Sequence, residues 1–375
     1  MRVISAFLAA IILHVAPAAG AESFPRPASL EPQVRFWRAT FAVYSRSQAV
    51  VHDTVDLDKI YRVVDFGASA LDGGASPGEI DQLVRDESEA EVTRLRRLLR
   101  RLHHAGPHPE GLSADEQRIF DLFQSDPSPN KFLDAAEHVR SQRGLREKFA
   151  DGIRIAHGYF PEMERIFQDE GLPTELTRLP LVESCFNVEA YSKVGAAGIW
   201  QFMPATGRIY AMDVGALVDE RRDPIASTHG AARFLRHNFE QLEESWPLAI
   251  TAYNHGPAGI ARAIADSGTT DIGVIVQRYR GPAFGFASRN FYAEFLAALD
   301  VEKHHGAYFG ELQFEKREPT RLIALDRPVG IEVAAKLART DRDTLAELNP
   351  ALMDPVVEGR RAIPSGYALR VPATG

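Results

Sequence analysis

The apolar positions change their period twice along the chain. LEPQVRFWRATFAVYS at 30–45 carries Val34, Phe36, Trp37, Phe41 and Tyr44 with polar residues between them, which predicts a helix packed on something else. It lies in a mixed region that continues through VVHDTVDLDKIYRVV to the loop GASALDGGASPGE at 67–79. From 88 to 104, Val92, Leu95, Leu98, Leu99 and Leu102 make one apolar face of a helix, and the other face carries five arginines. A solvated face is the simple reading of those arginines, and a polyanion-binding face is its rival. Beyond the breaker DPSPN at 126–130 the period is helical almost throughout. Residues 132–170 place Phe149, Ile153, Ala156, Phe160, Met163 and Phe167 at helical spacing, and further helices are predicted around 226–242, 246–254, 258–266 and 288–304. Strand signals are scarce between 130 and 305. They return in RLIALD at 321–326 and ALRVP at 368–372, with the helical EVAAKLA and DTLAELN between them. A small β-α-α-β module is therefore expected, joined through the polar EKREPT.

The predicted fold class is mainly α. It comprises an N-terminal helical accessory region at 22–130, an α domain at 131–310 that holds the chemistry, and an α+β module at 318–373. The first 21 residues stand apart. Arg2 precedes an apolar run from Val3 to Val15, and Ala19, Gly20 and Ala21 form an A-x-A cleavage pattern, so 1–21 read as a signal peptide. The run is too short to span a bilayer, and no stable membrane anchor is expected. Glu22, where a lipid-bearing cysteine would stand, points to a soluble exported protein.

Composition narrows the function classes. With 45% hydrophobic and 25% charged residues the chain has material for an ordinary core. The formal charge is −8, and loss of Arg2 with the leader makes it −9, which argues against a broad grip on nucleic acid. Cys185 is the single cysteine, so no internal disulfide can form. It is read as a buried inert thiol, the rival being a nucleophile paired with His157 or His255. His103, His104 and His108 lie in a Pro/Gly loop without a second ligand cluster. Nucleotide and zinc signatures are lacking, and no cofactor or metal is expected.

The chemistry concentrates in 172–207. Gly171, Leu172 and Pro173 close one helix and open another. Leu176, Leu179, Glu183 and Phe186 then fall on one face of that second helix, so Glu183 interrupts an apolar stripe. An isolated Glu in such a place is more often a paired structural charge. Desolvation there would raise its pKa, as a general acid near neutral pH requires. Gly195 and Gly198 permit left-handed backbone and close approach of a sugar or another chain segment. Trp200 reads as core support ahead of a sugar platform.

ESCFNVEAYSKVGAAGIWQFMPATG, followed by AYNHG at 252–256, resembles the soluble-lytic-transglycosylase superfamily. The pattern meets Glu183, Ser184, Phe186, Ala190, Ser192, Gly195, Ala196, Gly198, Trp200, Gln201, Met203, Pro204 and Thr206, then Ala252, Tyr253, Asn254 and Gly256. The membrane-bound lytic murein transglycosylase D group shows the greatest likeness. The resemblance implies a lysozyme-like catalytic domain that cleaves the β-1,4 bond between N-acetylmuramic acid and N-acetylglucosamine in peptidoglycan strands. It leaves a 1,6-anhydro end and consumes no water. Glu183 would act first as acid, then as base, and the substrate's acetamido oxygen would replace the second carboxylate that most glycosidases use. It further implies that Ser192 orients Glu183, that Gln201 contacts glycan, that Met203 walls the cleft, and that Tyr253 and Asn254 lie beside the acetamido group. Tyr292 would line the cleft. Glu189 and Asp223 are the nearest candidates for a second carboxylate, and neither is assigned. The C-terminal module resembles a degenerate LysM fold whose opening is replaced by RPVGIEVAA, leaving sugar binding and a packing role both open. The expected location is the periplasm, with peptidoglycan and cell-wall machinery proteins as partners. The rivals are a hydrolytic muramidase on the same fold and a non-catalytic peptidoglycan-binding protein.

Overall fold

The computed structural model describes residues 23–66, 76–107 and 109–373. The signal-peptide segment, most of the loop 67–79 and His108 lie outside them. The chain opens with α1 (Glu31–Ala42), β1 (Gln48–Asp53) and β2 (Ile60–Asp65), followed by α2 (Pro77–Ala105), α3 (Ala114–Asp121), α4 (Lys131–His138) and β3 (Val139–Arg143). The helical body comprises α5 (Arg146–Ala156), α6 (Phe160–Asp169), α7 (Leu179–Ser184), α8 (Pro204–Ile209), α9 (Pro224–Gln241), α10 (Trp246–His255), α11 (Pro257–Ser267), α12 (Ile272–Arg278), α13 (Phe286–Lys303) and α14 (His305–Phe309). The end of the chain forms β4 (Thr320–Ala324), α15 (Ile331–Leu337), α16 (Arg342–Leu348), α17 (Asp354–Val357) and β5 (Ala368–Pro372).

VVHDTVDLDKIYRVV folds as the antiparallel pair β1 and β2, and β3 completes the sheet in the order β2-β1-β3. This sheet divides two cores. Successive β1 side chains point to opposite faces, so Val50 joins the main helical core while Val51 packs with Tyr61, Leu95, Leu99 and Phe123 in a second one. The expectation that 132–170 is helical fails at 139–143. There the backbone of VRSQR hydrogen-bonds to β1, a long-range pairing that no local period encodes.

Residues 22–130 are not one accessory unit. Phe36, Trp37 and Phe41 of α1 belong to the main core and pack on α13, where Trp37 Nε1 donates to Asn290 Oδ1 at 3.2 Å. α2 to α4 build the second core with one face of the sheet. Ser76 and Glu79 form a reciprocal capping box that starts α2, as Ser113 and Glu116 do for α3. The arginine face of α2 is engaged by the protein's own acids: Arg94 meets Glu91 and Asp115, Arg100 meets Glu137, and Arg101 meets Glu116. Arg96 and Arg97 donate instead to the carbonyls of Val139 and Thr93.

β4 and β5 pair antiparallel around the two expected helices α15 and α16 and a further short one, α17, and enclose a third core. That core also takes in Val218 from the helical body, and Asp219 donates its N–H to the Ala351 carbonyl at 2.8 Å. Arg317 lies 4.2 Å over the Tyr159 ring and pairs with Glu162 at 3.0 Å, so the module is docked against the body. Among the described residues no helix is long and apolar enough to cross a membrane.

Candidate active site

The segment around Glu183 is more sharply bent than its sequence period suggests. Gly171, at φ +65°, ends α6. A 3-10 turn over Thr174–Arg178 then leads into the short α7. Leu176 and Leu179 are buried as the apolar stripe predicted. Phe186 is buried too, but not as a helix residue. Cys185 and Phe186 both have positive φ (49° and 54°), which turns the chain back into the core and lets the Phe186 N–H reach Pro180 O at 2.9 Å. Non-glycine residues seldom adopt this conformation, and the packing here imposes it. Gly152 of α5 makes room for the bend, because a Cβ there would stand 2.3 Å from Cys185 O.

Glu183 is half-buried at the end of α7. Loss of hydration pushes its carboxyl up to about 8. The thiol of Cys185 is pushed up to about 11, chiefly by burial. His157 is held by Glu302 at 3.2 Å and stacked on Phe314, while His255 faces Ser288 at 3.1 Å. Neither imidazole is bonded to the thiol, so a cysteine nucleophile has no base here.

The following loop is folded by its own backbone. The Ser192 N–H donates to Ala196 O, and Ser192 Oγ accepts from the Ala196 N–H, both at 2.8 Å. Ser192 is thus a loop-forming residue, not bonded to Glu183. Gly195 (φ +91°) and Gly198 (φ +74°) need glycine's freedom. At Gly198 a Cβ would fall 1.8 Å from Arg221 O, so close approach of another segment is the stricter demand. Trp200 is fully buried, stacks on Phe167 and donates its Nε1–H to Thr228 Oγ1 at 2.9 Å. It is core support. Asp223 accepts from the Ile225 and Ala226 N–H groups as the N-cap of α9, and Glu189 is exposed. Neither is a second carboxylate for Glu183.

Four of the expected substrate residues meet along one groove of about 440 Å³: Gln201, Met203, Tyr253 and Asn254, with Tyr210 and Phe234 in its wall. Gln201, at φ +50°, donates its Nε2–H to Gly198 O at 2.8 Å. Met203 is 41% exposed, unusual for its type and suited to a wall that meets a ligand. Tyr253 donates its hydroxyl to Trp200 O at 2.8 Å, tying α10 to the loop, and its phenol is raised well above its usual range by burial and then by the charge of Glu183. Asn254 accepts from Ser288 Oγ at 3.0 Å. Tyr292 does not join them. It is buried, and its hydroxyl reaches Pro25 O at 2.7 Å.

Sequence reasoning missed Glu294. This half-buried residue of α13 is pushed up to about 8, first by burial and then by the charge of Glu183, while Arg140 pulls the other way. Its signal was the one that exposed Glu183: an acid inside an apolar helical run, FYAEFLAAL.

A family model for the transglycosylase SLT domain matches residues 163–276. The chain is 30% identical over 222 residues to membrane-bound lytic murein transglycosylase D of Escherichia coli, a match covering 56% of this chain and 46% of that protein. It is 36% identical over 99 residues to an Alteromonas protein named for tributyltin chloride resistance, covering 26% of this chain and 48% of the other. The chain spans about half the length of the curated relatives it matches. Among solved structures, an inactive mutant of lytic transglycosylase Slt from Pseudomonas aeruginosa aligns at 17% identity with a TM-score of 0.36, covering 67% of this chain and 39% of that one. The 70 kDa soluble lytic transglycosylase of Escherichia coli aligns at 14% with a TM-score of 0.35, covering 63% and 47%. The residues that match the transglycosylase SLT domain hold Glu183, the glycine loop and the groove-lining Tyr253.

Proposed function

We propose that this protein is a peptidoglycan lytic transglycosylase in which Glu183 is the single proton-transferring residue. The observation that carries the reading is a carboxyl raised to about 8, standing at the head of an SLT domain whose groove gathers Gln201, Met203, Tyr253 and Asn254. A group with that pKa is protonated at neutral pH and can donate to a leaving oxygen. In the proposed reaction the proton of Glu183 passes to the glycosidic oxygen as the C1–O bond of N-acetylmuramic acid breaks. The 2-acetamido oxygen stabilises the positive charge at C1. The C6 hydroxyl then bonds to C1 and returns its proton to Glu183, which leaves a 1,6-anhydro end and the acid restored.

Gln201 and Asn254 offer amide groups to the glycan, and Met203 an apolar wall. Tyr253 holds the Trp200 carbonyl and keeps the loop against α10. Ser192 serves the geometry of the loop that faces Glu183. The C-terminal module is proposed as a LysM-like unit whose first role is packing, since it shares its core with Val218. Export to the periplasm, through the leader at 1–21, fits a murein substrate.

A hydrolase is the second reading, because Glu294 supplies a carboxyl near Glu183 that could activate water. Digestion of purified sacculi, with mass analysis of the products, decides between them. Anhydro-ended muropeptides are expected, and products heavier by one water would overturn the transglycosylase reading. Glu183→Gln is expected to lower lysis by at least about 100-fold while sacculus binding persists; undiminished lysis would remove Glu183 from its role.

A further inference from the structure

Between α12 and α13 the chain runs YRGPAFG at 279–285, and two arginines meet over this loop. Arg280 Nη1 and Arg289 Nη2 donate to the same acceptor, Tyr279 O, each at 3.1 Å. The two cations are therefore held no farther apart than those two bonds allow. Arg289 Nε also donates to Phe284 O at 3.3 Å. All these acceptors are neutral carbonyls, and among the described residues neither guanidinium is paired with an acid. Both line a cavity of about 110 Å³, walled also by Gln33 of α1, Thr54 beyond β1, Gln277 of α12 and Asn290 of α13. No carboxylate stands in its described lining.

Like charges at such a separation repel, and a carbonyl dipole does not neutralise them. One guanidinium would satisfy Tyr279 O, so closing the loop does not account for the second. Burial and then the Arg280 charge make Arg289 harder to ionise, and no acid offsets them. Two planar forks with N–H groups to spare are the arrangement that holds an oxyanion through charge-assisted bonds. The cavity limits what can enter. A water takes about 30 Å³ in the liquid, so the space holds only a few waters and suits a carboxylate or phosphate group better than a sugar ring.

We propose that Arg280 and Arg289 form an oxyanion site, which takes the carboxylate of a peptide end or a phosphate group. The site adjoins the groove along α13. Phe284, whose carbonyl Arg289 holds, sets its ring edge-on to that of His255 at 5.0 Å, and Ser288, the residue before Arg289, donates to Asn254. His255 and Asn254 both line the groove, so an anion between the arginines braces the segment on which they rest. A peptide carboxylate is what a murein stem would bring, and that choice of source rests on the proposed function. The oxyanion site itself does not.

The test is titration of the protein, at constant ionic strength, with inorganic phosphate, with acetyl-D-alanyl-D-alanine, and with the same dipeptide as its C-terminal amide. Calorimetry gives the dissociation constants, and the arginine Nε–H signals in NMR show where the ligand sits. Wild type should bind the free acid saturably and not the amide, with shifts at Arg280 and Arg289. Binding of phosphate alone, with the same shifts, would keep the site and name phosphate as its source. Arg280 is exposed, and its loss leaves Tyr279 O bonded to Arg289. Arg280→Gln should therefore unfold at the wild-type temperature while binding about 10-fold more weakly or worse. Arg289→Gln should lose at least as much affinity. Failure of both anions to bind wild type, or equal affinity in Arg280→Gln, would overturn the proposal. Binding is read without turnover, so a chain that does not lyse sacculi can still show the site, and a lytic one can lack it.

Discussion

Arg221 and Asp219 form a buried ion pair two residues apart, with Nη2 to Oδ2 at 2.6 Å and Nε to Oδ1 at 2.9 Å. The remaining nitrogen of Arg221 donates to the carbonyls of Gly195 and Phe202, at 2.7 and 2.9 Å. One guanidinium thus closes both ends of the loop that follows Glu183. Arg221→Met keeps a similar volume but strips the buried carboxylate of its cation and the Gly195 carbonyl of its donor. We expect a loss of about 3–5 kcal/mol, read by urea unfolding, with a parallel fall in lysis.

Gly198→Ala meets two obstacles, a φ of +74° and a Cβ 1.8 Å from Arg221 O. Backbone cannot step aside as a side-chain end can. A destabilisation of about 3 kcal/mol or more is expected from thermal unfolding. At Gly195 no atom stands within 4 Å of the added Cβ, so alanine there should carry only the smaller conformational cost of its φ of +91°.

The raised carboxyl of Glu183 makes a signed prediction for stability against pH. In the unfolded chain it ionises near 4.5, and in the native protein near 8. Below 4.5 both states hold the proton and nothing is lost. Between these values the unfolded state releases a proton that the native state keeps, so stability falls as pH rises. Glu183→Gln should therefore stabilise the protein by on the order of 2 kcal/mol at pH 7, and by nothing near pH 4. Urea midpoints across pH test this; an equal gain at both pH values would refute it.

Val218 is buried in the core of the C-terminal module, although it lies just before Asp219 in the helical body. Val218→Asp places a carboxylate in that core. We expect loss of about 3 kcal/mol or more and a weakened docking of the module, seen as an earlier, separate transition in calorimetry. A variant that still unfolds in one step at the wild-type temperature would mean that the shared core contributes little.

Cys185 should behave as an inert thiol. With its ionisation pushed up to about 11, thiolate is scarce at neutral pH. Iodoacetamide at pH 7.5 should modify native protein far more slowly than unfolded protein, and lysis should survive the treatment. Rapid alkylation with loss of lysis would revive the cysteine-nucleophile reading.

Several features were decided locally and were legible in the sequence. The helical period of 226–242 and 288–304 became α9 and α13 because an apolar stripe can be buried on either of two neighbours and still demand a helix. Glu183 stood out because an acid on such a stripe must lose water wherever the helix packs. The strand pair of the module followed from two short strand-like runs, while the short α17 between them was not foreseen. Other features had no local cause. β3 exists because 139–143 pairs with β1, and α1 enters the main core because Trp37 finds Asn290 across the chain. Tyr292 turned inward to Pro25 while Ser288 and Phe291 turned to Asn254 and Tyr253, since period fixes only the angle between helix residues and packing chooses what each one meets. Glu294 came close enough to Glu183 to feel its charge for the same reason. Sequence period sets which residues must leave water together, and tertiary packing alone sets which charges then share the space.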